Sequence, residues 1–119
     1  VIEICNAIQK GVKRNLTYRL TSRVDLLLRL EDSTLKLMRD TGFAAVGYGI
    51  ESGSQRVLDY MVKDLKLKQV YDVDQRMNKF GFHKSFNFMM GIPTETIEEM
   101  KMTLKHCQYF LALILQKKF

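Results

Sequence analysis

Glu51 stands at the mouth of an apolar run, in the stretch YGIESGSQRVLDYM at residues 48–61, with Gly49 and Ser52 beside it. An ionised carboxylate accepts hydrogen bonds and donates none. Its ordinary use at such a position is to stabilise the positive end of the helix that follows. A second cluster, MMGIPTE at 89–95, carries Met89, Gly91, Ile92, Pro93 and Glu95, and Arg19 and Arg23 share an alternating stretch near the start of the chain. Such groups suit a polar or anionic ligand, since turns from strands into helix N-termini present free amides to anions. The remaining chemistry-bearing residues form no pattern. Cys5 and Cys107 make neither CxxC nor CxxxCxxC. They read as free buried thiols of a reducing cytoplasm and cannot by themselves ligate a cluster. His83 and His106 lack a ligand partner at metal spacing, so both are assigned structural roles and no metal ligand is expected.

Composition bounds what these residues can belong to. At 119 residues the chain is one domain, short of the roughly 200 residues of a closed eight-unit barrel, so any barrel must be partial. Lysine and arginine number 19 and aspartate and glutamate 13, and 19 − 13 leaves +6. That excess could favour polyanions. The cations are spread along the chain, however, and the densest group is only Lys63, Lys66 and Lys68. A solvated surface explains them better than a nucleic-acid face. The longest apolar run, YFLALIL at 109–115, has seven residues, where a membrane span needs about 20. No secretory signal or membrane association is expected, and the predicted location is cytoplasmic.

The elements that must position Glu51 and the second cluster follow from two periodicities. Ile4, Ile8 and Val12 recur at helical intervals, whereas LTYRLTSR at 16–23 alternates like a strand. After a linking stretch, VDLLLRL, Asp32 or Ser33 can cap a helix that aligns Leu35 with Met38 and stops at Gly42. AAVGYGIE at 44–51 is the next strand. Helical spacing resumes in SQRVLDYM and again at 67–81, where Val70, Val73 and Met77 share a face and Gly81 closes the element. HKSFNFMMG at 83–91 is a third strand, and Thr96 and Glu99 then have the spacing of a capping box.

Phe43 and Phe82, each after a glycine and before a strand, are 82 − 43 = 39 residues apart. Strands so separated, with helices between, cannot be tight hairpins and suit parallel strands joined by right-handed crossovers. The predicted class is α/β, a partial TIM-type barrel of about three parallel strands. Alternation then divides each strand into a bulky and a sparse face. Leu16, Tyr18 and Leu20, then Val46, Tyr48 and Ile50, then Phe86, Phe88 and Met90 form the bulky faces. Opposite them lie Thr17, Arg19, Thr21 and Arg23, then Ala45, Gly47, Gly49 and Glu51, then Ser85, Asn87, Met89 and Gly91. An open sheet wetted on one face would alternate in the same way. Arg23, Glu51 and the Gly91-Ile92-Pro93 turn all fall at C-terminal strand ends, the edge at which parallel sheets and barrels bind ligands.

RVDLL, GYGIESGSQRVLDYM and FNFMMGIPTETIEEM together resemble radical S-adenosylmethionine enzymes, and within them the branch that often carries a cobalamin-binding domain ahead of the barrel. The resemblance covers most of residues 18–104, as the third to fifth strand-helix units of a barrel, with residues 1–15 as a preceding helix and 105–119 as an atypical tail. It implies that Glu51 accepts from the ribose hydroxyls of S-adenosylmethionine, while Gly49 and Ser52 let the strand end approach the ligand and turn away. Met89, Gly91, Ile92 and Pro93 would lie along the adenine, Glu95 matches the acid that ends the motif, and Arg23 would face the ligand's charged end or the substrate. In such enzymes a reduced four-iron four-sulfur cluster splits S-adenosylmethionine to a 5′-deoxyadenosyl radical, or cobalamin directs methyl transfer; the protein positions the cofactors.

Departures from the family's pattern matter equally. CxxxCxxC is missing, as is the glycine-rich motif of the second strand. Without three thiolates a cluster has no anchorage here, so this chain is expected to be an incomplete, inactive piece of a larger enzyme. Asp64 and Lys66 replace a frequent glycine and threonine, and Thr94 stands where a second glycine is common. Threonine adopts positive φ at a cost, so an altered exit loop is expected. Three strands leave two open edges, which predicts a homo-oligomer. The alternative function is a non-catalytic association module, with nucleic-acid binding a weaker third.

Overall fold

Parallel strands joined by helices are what the structure contains. In the computed structural model, which describes residues 1–11 and 15–116, Tyr18–Ser22 (β1), Phe43–Glu51 (β2) and His83–Phe88 (β3) form a single sheet in the order β1-β2-β3, with both pairings parallel. The helices are Ile2–Gly11 (α1), Val24–Arg29 (α2), Asp32–Thr41 (α3), Gln55–Tyr60 (α4), Leu67–Lys79 (α5) and Ile97–Gln116 (α6). Pairs α2/α3 and α4/α5 supply the two crossovers. Head-to-tail pairing would have removed the common C-terminal edge; the parallel register keeps Ser22, Glu51 and Phe88 at one end of the sheet.

The bulky face is the buried one along β2. Leu16 and Met90, expected on that face, lie outside the strands and are 49% and 52% exposed, because β1 begins at Tyr18 and β3 ends at Phe88. Val46, Tyr48 and Ile50 of β2 are inaccessible to solvent, and they pack with Leu27, Leu35, Met38, Leu58, Val70, Val73, Met77 and Phe110 from the helices. Phe86 and Phe88 meet Phe110 of α6, with ring centroids 4.5 and 6.4 Å apart. Leu35 with Met38, and Val70 with Val73 and Met77, share buried faces as their spacing predicts. Inside this layer Asp74 pairs with Lys84 and accepts from the Tyr48 hydroxyl at 3.3 Å. Burial, and then the charge of Asp74, hold the Tyr48 phenol far above its ordinary pKa.

Three expectations about the helices change. The stretch 24–30 is not a link: Val24–Arg29 is helical and buries Val24 and Leu27. Its terminal carbonyls are satisfied from another element, since the Arg76 guanidinium of α5 donates to Leu27 O at 3.1 Å, Leu28 O at 3.0 Å and Leu30 O. A cap 46 to 49 residues away leaves no trace in local pattern. The N-cap of α3 is Glu31, so Asp32 and Ser33 lie within its first turn. On α1 it is Cys5, not Ile4, that is buried; Ile4 is 58% exposed, Ile8 is half-buried, and Val12 lies outside the described residues. The helix docks on α3 through the Cys5 side, which rotates Ile4 away from the core.

The capping box before α6 is present in full. Glu99 N donates to Thr96 Oγ1 at 3.2 Å and Thr96 N donates to Glu99 Oε2 at 2.9 Å. From there α6 runs 20 residues, so the described part of the 105–119 stretch is the second half of one helix and the rest lies outside the described residues. No helix among the described residues is long and apolar enough to cross a membrane.

Candidate functional site

The sparse strand faces make the floor of a cleft of about 430 Å³, lined by Thr21, Ser22, Arg23, Leu26, Gly49, Glu51, Lys63 and Asn87. Each wall has a local cause. Period-two alternation turns Thr21, Gly49 and Asn87 away from the core, and Leu26 reaches the cleft from the first turns of α2. Deeper along the same face the Arg19 guanidinium crosses Gly47 and donates to Ser85 Oγ. A Cβ at Gly47 would stand 2.9 Å from that hydroxyl, so the missing side chain is what lets β1 reach β3 across the face.

Glu51 closes the rim. The β2-β3 register slips between Gly49 and Glu51, and Glu51 itself has φ +72°. Its carbonyl accepts from Met89 N at 2.7 Å, which ties the ends of β2 and β3 together. The reversed backbone folds the carboxylate back over Gly49: a Cβ there would lie 2.2 Å from Glu51 Oε1. Glycine at 49 is therefore a requirement of the acid's position. Lys63 Nζ donates to Oε1 at 2.6 Å. The Glu51 and Lys63 side chains are 14% and 27% exposed, so the acid is not aimed at bulk solvent, and among the described residues its carboxylate accepts from Lys63 and not from the first turn of α4. The N-terminus of α4 is capped instead by Ser54 Oγ, which accepts from Val57 N at 3.3 Å.

The second cluster forms a braced loop beyond β3. Gly91 has φ +82°, and Glu95 Oε2 accepts from Gly91 N at 2.7 Å and Ile92 N at 3.1 Å. The other oxygen, Glu95 Oε1, is buried with no partner among the described residues. Thr94 does take positive φ, +70°. Its carbonyl is held by Arg56 Nη2 at 2.8 Å, and Arg56 is in turn held by Glu99 at 2.6 Å through both Nε and Nη2. The Arg56 guanidinium and then the Thr96 amide keep the Glu99 carboxyl well below the usual carboxylate range. Strain at Thr94 is thus borne by a charged clamp.

Of the nine residues singled out, Arg23, Gly49 and Glu51 meet in the cleft. Arg23 also pairs with Asp25 at 2.9 Å. Met89, Gly91, Ile92, Pro93 and Glu95 lie in the braced loop, joined to the rim through the Met89 to Glu51 bond. Ser52 turns away: it is fully buried, 3.3 Å from Thr103 Oγ1, and its hydroxyl accepts from Ser54 N. Beside it Gly53 admits α6 at close range, since a Cβ would stand 2.6 Å from Met102 O. Lys63 went unnoticed in the sequence, where it reads as one of three surface lysines; only the fold brings it to Glu51. As for a cluster, its chemistry asks for three thiolates on one loop, and the two cysteines lie on α1 and α6, outside the cleft. These residues do not fit an iron–sulfur group. The cleft bounded by Thr21, Gly49 and Asn87, with an acceptor at its rim, does fit a polyhydroxylated ligand.

Comparison with known proteins adds an independent line. The profile described as the Radical SAM superfamily matches residues 2–107. An uncharacterized methyltransferase of Pyrococcus horikoshii is 33% identical over 97 residues, covering 82% of this chain and 20% of that protein. Cytidylyl-2-hydroxyethylphosphonate methyltransferase of Streptomyces wedmorensis is 32% identical over 89 residues, 69% of this chain and 17% of that protein. Anaerobic magnesium-protoporphyrin IX monomethyl ester cyclase of Rubrivivax gelatinosus is 29% identical over 106 residues, 87% of this chain and 18% of that protein. Among solved structures, the cobalamin-dependent S-adenosylmethionine radical enzyme OxsB superposes with TM-score 0.70 at 18% identity, over 87% of this chain and 16% of that one, a likeness of fold. The chain spans about a fifth of the length of the curated relatives it matches.

Proposed function

The chain belongs to the radical SAM superfamily, and on that premise we propose that its cleft is the nucleotide portion of an S-adenosylmethionine site. Glu51 accepts from the ribose hydroxyls, which an ionised carboxylate can do for two neighbours at once. The 89–95 loop lies along the adenine, offering Met89 and Ile92 as apolar contacts and its backbone as polar ones. Arg23, at the mouth, meets the carboxylate end of the ligand or an anionic substrate. The observation that carries this reading is the Glu51 carboxylate folded over Gly49 at the shared C-terminal edge of β2. Bound S-adenosylmethionine supplies the reactive carbon of radical and methyl-transfer chemistry. This chain's residues bind and orient it, while the anchorage of an iron–sulfur group falls to residues that this chain does not contain. Methyl transfer is the reaction class we favour for the whole protein, because two of the relatives above bear that name. Cobalamin joins the proposal because OxsB, which shares the fold, is cobalamin-dependent.

Titration calorimetry with S-adenosylhomocysteine tests it. Glu51→Gln and Glu51→Ala are expected to weaken binding by about tenfold or more, the worth of a hydrogen bond to a charged acceptor. Equal affinity in wild type and both variants would leave family descent without a ligand role for Glu51.

A further inference from the structure

Lys63 is carried by a costly turn. Val62 and Asp64 flank it at φ +53° and +46°, a region that β-branched and other non-glycine side chains rarely adopt. Val62 gains nothing from packing, being 87% exposed. Leu65, buried just beyond, pins the far side. The double reversal returns the Lys63 ammonium to the sheet, 3.4 Å from where a Cβ on Gly49 would stand and 2.6 Å from Glu51 Oε1. Lys63 lines the same cleft as Glu51 and Asn87. Among the described residues no donor occupies Glu51 Oε2; the ion pair engages Oε1. The rim therefore offers an ammonium donor beside a carboxylate with a free oxygen.

A vicinal diol is the complement of that arrangement, because each hydroxyl both donates and accepts. We infer that Lys63 is a ligand-contacting residue: with Glu51 it forms a donor–acceptor pair that reads an intact ribose cis-diol, Glu51 accepting from the hydroxyls while Lys63 Nζ donates to one of the same oxygens. The inference rests on the nucleotide reading of the cleft and extends it to a second residue and to a ligand requirement, both ribose hydroxyls present. Lysine serves here because its ammonium can give one proton to Glu51 and another to the ligand.

Calorimetry on the full chain with S-adenosylhomocysteine and its 2′-deoxy and 3′-deoxy counterparts decides the matter, with circular dichroism recording that each variant is folded. In the wild type, losing either hydroxyl is expected to weaken binding about tenfold. Lys63→Met is expected to weaken S-adenosylhomocysteine by a similar factor and to shrink, though not erase, the penalty for the hydroxyl that Nζ contacts, since Glu51 still accepts from it. Lys63→Arg, which keeps a cationic donor, should keep much of that penalty. A folded Lys63→Met that retains both wild-type penalties overturns the role of Lys63 while leaving that of Glu51 intact. A folded Lys63→Arg as indifferent to the diol as Lys63→Met overturns the donor role. A wild type that binds all three ligands equally overturns the reading of Glu51 itself, and one that binds none overturns both.

Discussion

Glu99 gathers more hydrogen bonds than any residue of the proposed ligand cleft, although it contacts none of that cleft's lining. It accepts from Arg56, Thr96 and Ser54, and Arg56 passes the restraint on to the Thr94 carbonyl. Its work is to hold a threonine in a backbone conformation better suited to glycine. The pH dependence follows from sign. The Glu99 carboxyl titrates below its ordinary range in the folded chain, so the stability it contributes is complete at neutral pH and is lost as pH falls below the unfolded value of about 4.3. Urea midpoints of wild type and Glu99→Gln should differ most near pH 7 and converge as pH is lowered through that range. A gap that stays constant with pH would show that the carboxylate's charge does not brace the loop.

At the scale of elements, α2 shows how a short helix survives without its own termination signal. Its last turn ends at Arg29 with no glycine, and Leu30 leaves in extended conformation. Three carbonyls near this end converge on Arg76, which also pairs with Asp32 at 2.8 Å and so couples α2, α3 and α5. Removing the guanidinium strands those acceptors. Arg76→Met is expected to destabilise the fold by about 2 kcal/mol, within the usual penalty for unsatisfied polar groups, as measured by urea denaturation. A loss near zero would mean that water replaces the arginine at the helix end. The same coupling bears on function, because α2 contributes Leu26 to one wall of the cleft.

For the molecule as a whole, the consequence of three strands is two edges. Among the described residues β1 and β3 each pair on one side only. Beside β3, α6 leaves Leu104, Leu111 and Leu115 exposed along its length, next to a groove of about 320 Å³ lined by Phe86, Phe88, Phe110 and Ile114. Unpaired edges flanked by apolar side chains favour association. Light scattering of the chain at micromolar concentration is expected to give a mass above that of a monomer; a single monomeric species would count against self-association through these surfaces.

Much of this was legible in the chain itself. Period-two alternation at 44–51 and in the 83–88 part of the third stretch, helical spacing around Leu35 and Val70, and 39 residues between echoing phenylalanines sufficed for parallel strands, a bulky buried face on β2 and an acid at the rim. These signals are local or count chain length, and backbone stereochemistry converts them directly into direction. Other features were decided only by tertiary structure: the pairing of Lys63 with Glu51, the Arg76 cap on α2, the turning of Ser52 toward Thr103, and Cys5 rather than Ile4 in the core. The three polar contacts join residues 12 to 51 positions apart, and Cys5 is buried by the side on which α1 docks on α3. Such contacts depend on where positive-φ turns and helix docking send a side chain, which no periodicity along the sequence encodes.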